Sequence, residues 1–96
     1  MEKETEIKAR AFDRLLNHLD KRKDVQNIDL MILASFCRNC LSNWMSEEAD
    51  HLGVTISKES AREHVYKMPY SEWKDKYQLP VSDEKLEKFK KSKNEP

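Results

Sequence analysis

Glycine is almost absent from this chain. One glycine and three prolines in 96 residues leave little material for tight β-turns, and no stretch alternates apolar and polar residues long enough to make a half-buried strand. An all-α fold is therefore expected. The sequence also lacks a glycine-rich phosphate loop, a nucleophile elbow and an HExxH pair, which removes the common signatures of nucleotide binding, serine hydrolysis and zinc proteolysis. Its many carboxylates form no pair that the sequence places in a cleft, so nothing in it requires an enzyme.

An excess of either charge is missing too. Eighteen basic and eighteen acidic residues give a formal net charge of zero, so no global field draws the chain to nucleic acid or an anionic membrane. No uncharged run exceeds the eight residues Leu30 to Cys37, far short of a bilayer span. The opening Met1-Glu2-Lys3-Glu4 is charged and unlike a secretory signal. Two cysteines in that context point to free thiols in a reducing compartment, and the cytoplasm is the expected location.

What is present is amphipathic helix. The composition is 38% hydrophobic and 38% charged, enough for one small core under a charged surface and for one domain rather than two. Ile7, Ala11, Leu15 and Leu19 recur every four residues, with Phe12 and Leu16 beside them, and predict a first helix from about residue 4 to 22. A long second helix is expected from Asn27 or Asp29 to Leu52, with Gly53 just past its end. Ser57 should cap a third helix that Pro69 stops near Met68. Tyr70 to Gln78 reads as a short fourth helix, and Ser82 should cap a weak last one to about Lys91. The expected architecture is a compact orthogonal bundle of four to five helices around one long central helix. Residues 1–80 would form the domain; 81–96 would be a weak helix and a disordered tail from Ser92.

Cys37-Arg38-Asn39-Cys40 is the most suggestive element for chemistry. On a continuous helix both cysteines fall at the centre of the apolar face with Leu30, Leu33, Leu41 and Trp44, while Arg38 and Asn39 fall elsewhere. The leading reading is two small buried hydrophobes. Zinc is the alternative cofactor, with His18 or His64 as added ligands, or with a second chain contributing its own pair. His51 lies too far along the same helix to join them. Redox chemistry meets two objections in mid-helix: the N–H groups are already used, and regular i,i+3 spacing holds the β-carbons too far apart for an unstrained disulfide.

Tyr70, Trp73 and Tyr77 share one side of the fourth helix, and with Tyr66 they are interleaved with Lys67, Lys74 and Lys76. Such a pattern can stack single-stranded bases, but Glu72 and Asp75 interrupt it. Docking of the helix onto the core, with the aromatics as an interaction surface, is preferred to nucleic-acid binding. The best functional expectation is a structural or protein-interaction module, forming a homodimer and needing no cofactor. A metal-binding or thiol-active protein using Cys37 and Cys40 is the alternative.

Three blocks carry a family resemblance: Asp24 to Met31 (DVQNIDLM), Phe36 to Trp44 (FCRNCLSNW) and Val65 to Lys74 (VYKMPYSEWK). Together they resemble the small bacterial proteins grouped as domain of unknown function 1244, over roughly residues 8 to 80. The resemblance implies a compact helical fold and a bacterial cytoplasmic setting, and points toward self-association. It carries no activity, substrate or catalytic residue. The stretch after Pro80 is the part least expected to follow the family.

Overall fold

The computed structural model describes residues 2–94. Among them the chain forms α1 (Glu2–Lys21), α2 (Asn27–Ala34), α3 (Arg38–His51), α4 (Lys58–Tyr66), α5 (Tyr70–Tyr77) and α6 (Asp83–Asn94), with no strand. The all-α expectation holds. The bundle is drawn out, measuring 46 × 34 × 22 Å, rather than closely rounded.

The single long helix expected between Asn27 and Leu52 does not form. It breaks after Ala34, where Ser35 takes the left-handed conformation at φ 60° and its N–H donates to the Met31 carbonyl at 3.0 Å. Cys37, extended at φ −145° and ψ −179°, then caps α3. No glycine or proline marks this point. A left-handed non-glycine residue costs about 1–2 kcal/mol, so the break must be offset by tertiary contacts, which the residue after Cys37 supplies. The break also resets the phase of the helical wheel. Leu33 and Trp44, assigned to one buried face with the cysteines, are 82% and 49% exposed.

Other boundaries follow local chemistry. Gln26, not Asn27 or Asp29, is the N-cap of α2, and its backbone N–H donates to Asp29 Oδ2 at 2.9 Å. Gly53 has φ +75°; its N–H reaches Asp50 O at 3.0 Å while Val54 N–H reaches Ala49 O at 2.8 Å. These two bonds are the Schellman closure that needs a left-handed residue at this point. Ser57 Oγ accepts from Ser60 N–H, and Ser82 Oγ from Lys85 N–H, each at 3.1 Å. Pro69 does not stop α4. That helix ends at Tyr66 with left-handed Lys67, and Pro69 is the N-cap of α5.

The core is small: Leu16, Leu19, Leu30, Leu41, Val65, Tyr66 and Trp73, with Phe12, Phe36, Met45 and Tyr77 among those packed against it. α4 lies between α3 and α5 and also receives α1, where His64 Nε2 sits 3.7 Å from Asp13 Oδ1. α6 packs on α2, tied by Lys85 Nζ to Asp29 Oδ1 at 2.9 Å. The segment from Ser92, expected to be disordered, continues α6 to Asn94, and its last two residues lie outside the described residues. No helix among the described residues is long and apolar enough to cross a membrane.

Candidate functional site

The start of α3 gathers most of the polar groups buried in this molecule. Arg38 occupies its first turn and is only 2% exposed. Its guanidinium points away from solvent and donates to Val25 O at 2.8 Å, Asn27 Oδ1 at 3.1 Å, Arg22 O at 3.0 Å and Leu19 O at 3.3 Å. Its backbone N–H adds a bond to Asn27 Oδ1 at 3.3 Å. Arg38 thus adds a second bond to the Leu19 and Arg22 carbonyls, which already accept from Arg22 and Val25 N–H, and binds the Val25 carbonyl, while its guanidinium lies 5.1 Å from the centre of the Trp73 ring. Burial pulls its pKa below the ordinary arginine value, although Tyr66, Cys37, Asp20 and Asp24 act the other way.

A second layer of bonds surrounds it. Tyr66 Oη donates to Asn39 Oδ1 at 2.8 Å and accepts from Asn27 Nδ2 at 3.0 Å. Burial raises the Tyr66 pKa well above that of a free phenol. Gln26, also buried, donates to Tyr77 O at 3.0 Å and accepts from Leu79 N–H at 2.9 Å. A cleft of about 160 Å³ opens beside this network, lined by Gln26, Asn27, Asn39, Tyr70, Gln78 and Leu79 among others. It is smaller than the usual 300–1,000 Å³ of metabolite pockets.

The two cysteines sit at the outer edge of this junction. Both are free and half-buried, with Sγ atoms 3.8 Å apart. Cys37 is the N-cap and Cys40 the third helical residue, the two positions whose side chains face each other in a capping box. The objection from mid-helix geometry therefore falls. Cys37 is not helical but extended, at the N-cap of α3. Burial raises the Cys37 pKa, and the backbone N–H groups of Cys40 and Asn39 act against that rise.

The remaining candidates are scattered. Among the described residues no group of three or more His, Cys, Asp or Glu side chains comes together as metal ligands. His18 is exposed in a groove with Arg14, Asn17 and Lys21, and His64 faces Asp13 across α1 and α4. The structure brings Cys37 and Cys40 together and adds neither imidazole. Trp73 is 2% exposed, wedged between Tyr66 and Tyr77 with ring centres 4.9 and 6.0 Å away, so it offers no docking surface. Tyr70 and Tyr77 are half-buried around it. The aromatic residues of α5 anchor that helix.

The sequence singled out none of Arg38, Gln26 and Asn39, and it marked Asn27 only as a helix cap and Tyr66 only as one of the aromatics around the fourth helix. One signal was available. All five lie in the three blocks that carry the family resemblance, and the fold brings those blocks to one place. A family model described as a protein of unknown function (DUF1244) matches residues 25–91. The chain belongs to that family. The DUF1244 match begins after α1 rather than near residue 8, and it continues through most of α6 instead of stopping near Pro80. The physical reason is visible in the fold, since α6 packs on α2 and is no appendage. No curated protein matches the chain.

Proposed function

We propose that this DUF1244 chain is a protein-interaction module that pairs with a second copy of itself through the free face of α1. The observation that carries the reading is surface left over. The chain exposes 7420 Å², about 1,600 Å² more than the roughly 5,800 Å² expected for a rounded 11.4 kDa monomer. Its radius of gyration is 15.0 Å, against about 12.5 Å for a compact domain of this length. A standard interface covers about 800 Å² on each partner, so the excess is ample for one.

Much of that excess lies on α1. Residues Glu2 to Ala11 are exposed on every side, and Ile7 is 66% exposed. Ile7, Ala11 and Leu15 make an apolar stripe running beside the core-facing Phe12, Leu16 and Leu19. A half-helix without tertiary support is marginal in water. Its exposed pairs, Glu4 to Lys8 at 3.4 Å and Glu6 to Arg10 at 2.9 Å, each contribute only about 0.3–0.5 kcal/mol. A two-fold axis at Ala11 would set Ile7 of each copy against Leu15 of the other, and the small Ala11 side chain would let the helices approach closely. The identical, balanced charge of both copies presents no net repulsion.

Sedimentation velocity over a concentration series tests this. The wild-type chain should sediment as a dimer, and Ile7→Glu should sediment as a monomer with unchanged far-ultraviolet circular dichroism. A wild-type chain that stays monomeric at hundreds of micromolar would refute the reading.

A further inference from the structure

The geometry points to a second property, independent of α1: Cys37 and Cys40 form a dithiol that is reversibly oxidised to an intramolecular disulfide by exchange with a disulfide-bearing substrate. Three observations carry it. The two sulfurs are already in contact at 3.8 Å, and need close only to the usual bond length of about 2.05 Å. Cys37 is in extended backbone, at φ −145° and ψ −179°, and enters the ladder of α3 only through its carbonyl, so its side chain can swing toward Cys40 without opening a helical turn. Both thiols are partly exposed, so a substrate sulfur can reach them.

The surroundings pull the Cys37 thiol in two directions, and burial is the stronger. At the α3 N-terminus the backbone N–H groups of Cys40 and Asn39 pull the Cys37 pKa down, and the helix dipole stabilises negative charge there. Arg38, in the next position, is a buried cation whose guanidinium meets only carbonyl and amide oxygens. A thiolate at Cys37 supplies it with a neighbouring negative charge. Burial works against ionisation of Cys37, which makes that sulfur a reluctant leaving group once the pair is oxidised.

The exchange balances as follows. One cysteine, deprotonated, attacks a substrate disulfide, forming a mixed disulfide and releasing the first substrate thiolate. The second cysteine loses its proton and attacks the protein-side sulfur of that mixed disulfide. The second substrate thiolate then leaves. The protein has lost two electrons and two protons to one disulfide bond, and the substrate disulfide has become two thiols.

Oxidised glutathione serves as the probe on the full-length chain. The reduced wild type should lose the mass of two hydrogens and carry no glutathione, while Cys37→Ser and Cys40→Ser should each gain a single glutathionyl adduct. The bond can be located because Arg38 lies between the two cysteines. Tryptic digestion of the unfolded, oxidised chain should leave peptides 24–38 and 39–58 linked, and a reductant should part them. Wild type that retains glutathione on its thiols would overturn the proposal. So would wild type that stays unmodified while both thiols react in denaturant, or that forms only disulfides between chains. Both serine variants should keep the wild-type circular dichroism, which separates loss of exchange from loss of fold.

Discussion

The first half of α1 and the first turn of α3 handle charge in opposite ways. Along residues 2–11 of α1 every charged side chain is exposed and meets a partner of opposite sign one turn away or none at all. At the head of α3 one cation is withdrawn from solvent and held by four hydrogen bonds from its guanidinium to oxygens of three segments. The first arrangement decorates a helix whose apolar side is uncovered. The second joins the end of α1, the loop at Val25 and the start of α2 to α3, and so determines where α3 begins. Density of charge is thus a poor guide to where electrostatics holds a fold. What matters is whether removing the charge would leave buried partners unpaired.

The largest effect should come from Arg38→Ala. It strips hydrogen bonds from Leu19, Arg22 and Val25 carbonyls and from Asn27, and urea unfolding should register a loss of about 3 kcal/mol or more. Arg38→Lys should restore little of this, because one ammonium cannot reproduce the planar fork. A loss below about 1 kcal/mol in either variant would sink the contrast drawn here.

A smaller effect belongs to Tyr66→Phe, which breaks the bonds to Asn27 and Asn39 at a cost of about 1–2 kcal/mol. It also sharpens the comparison through pH. Tyr66 and Cys37 both hold their protons more tightly in the folded chain than their ordinary values of 10.0 and 9.0 allow. The stability this confers is complete below about pH 9 and is lost as pH rises through the folded values, since the unfolded chain ionises first. Unfolding curves between pH 8 and 11 should therefore show a fall that is shallower in Tyr66→Phe, and an identical slope in the two chains would contradict it.

The smallest change is expected on α1. Glu6→Gln removes the exposed pair with Arg10 and should shift unfolding by less than about 0.5 kcal/mol. A shift above 1 kcal/mol would mean that this half of α1 is not the lightly held segment its exposure indicates.

The inward positions Leu16, Leu19 and Leu41 were legible in the sequence because each repeats on a helical period. So were the caps at Ser57 and Ser82 and the turn at Gly53, where residue type and backbone conformation coincide. The break at Ser35 was not. Between Leu30 and Leu41 the local pattern favours one continuous helix, and what interrupts it is a set of bonds from Arg38 to residues 11 to 19 positions earlier. An arginine reads as a surface residue until its acceptors are known. The site inherits this error, since the same break moves Cys37 and Cys40 from the middle of a helix to its first turn. The place of the cysteines in the helix was misread for want of one left-handed serine.

The packing of α6 on α2 also shapes how the chain must assemble. α3, α4 and α5 are neighbours both in sequence and in space, so they can meet through short loops soon after their helices form. α2 instead packs on a helix whose Lys85 is 56 residues beyond its own Asp29, and the buried Gln26 that caps α2 closes on Tyr77 and Leu79. Those contacts close long loops, as does the approach of His64 to Asp13 between α4 and α1. The segment that leads into the cysteines is therefore fully secured only when α6 packs on α2. During synthesis it must wait until α6 has left the ribosome.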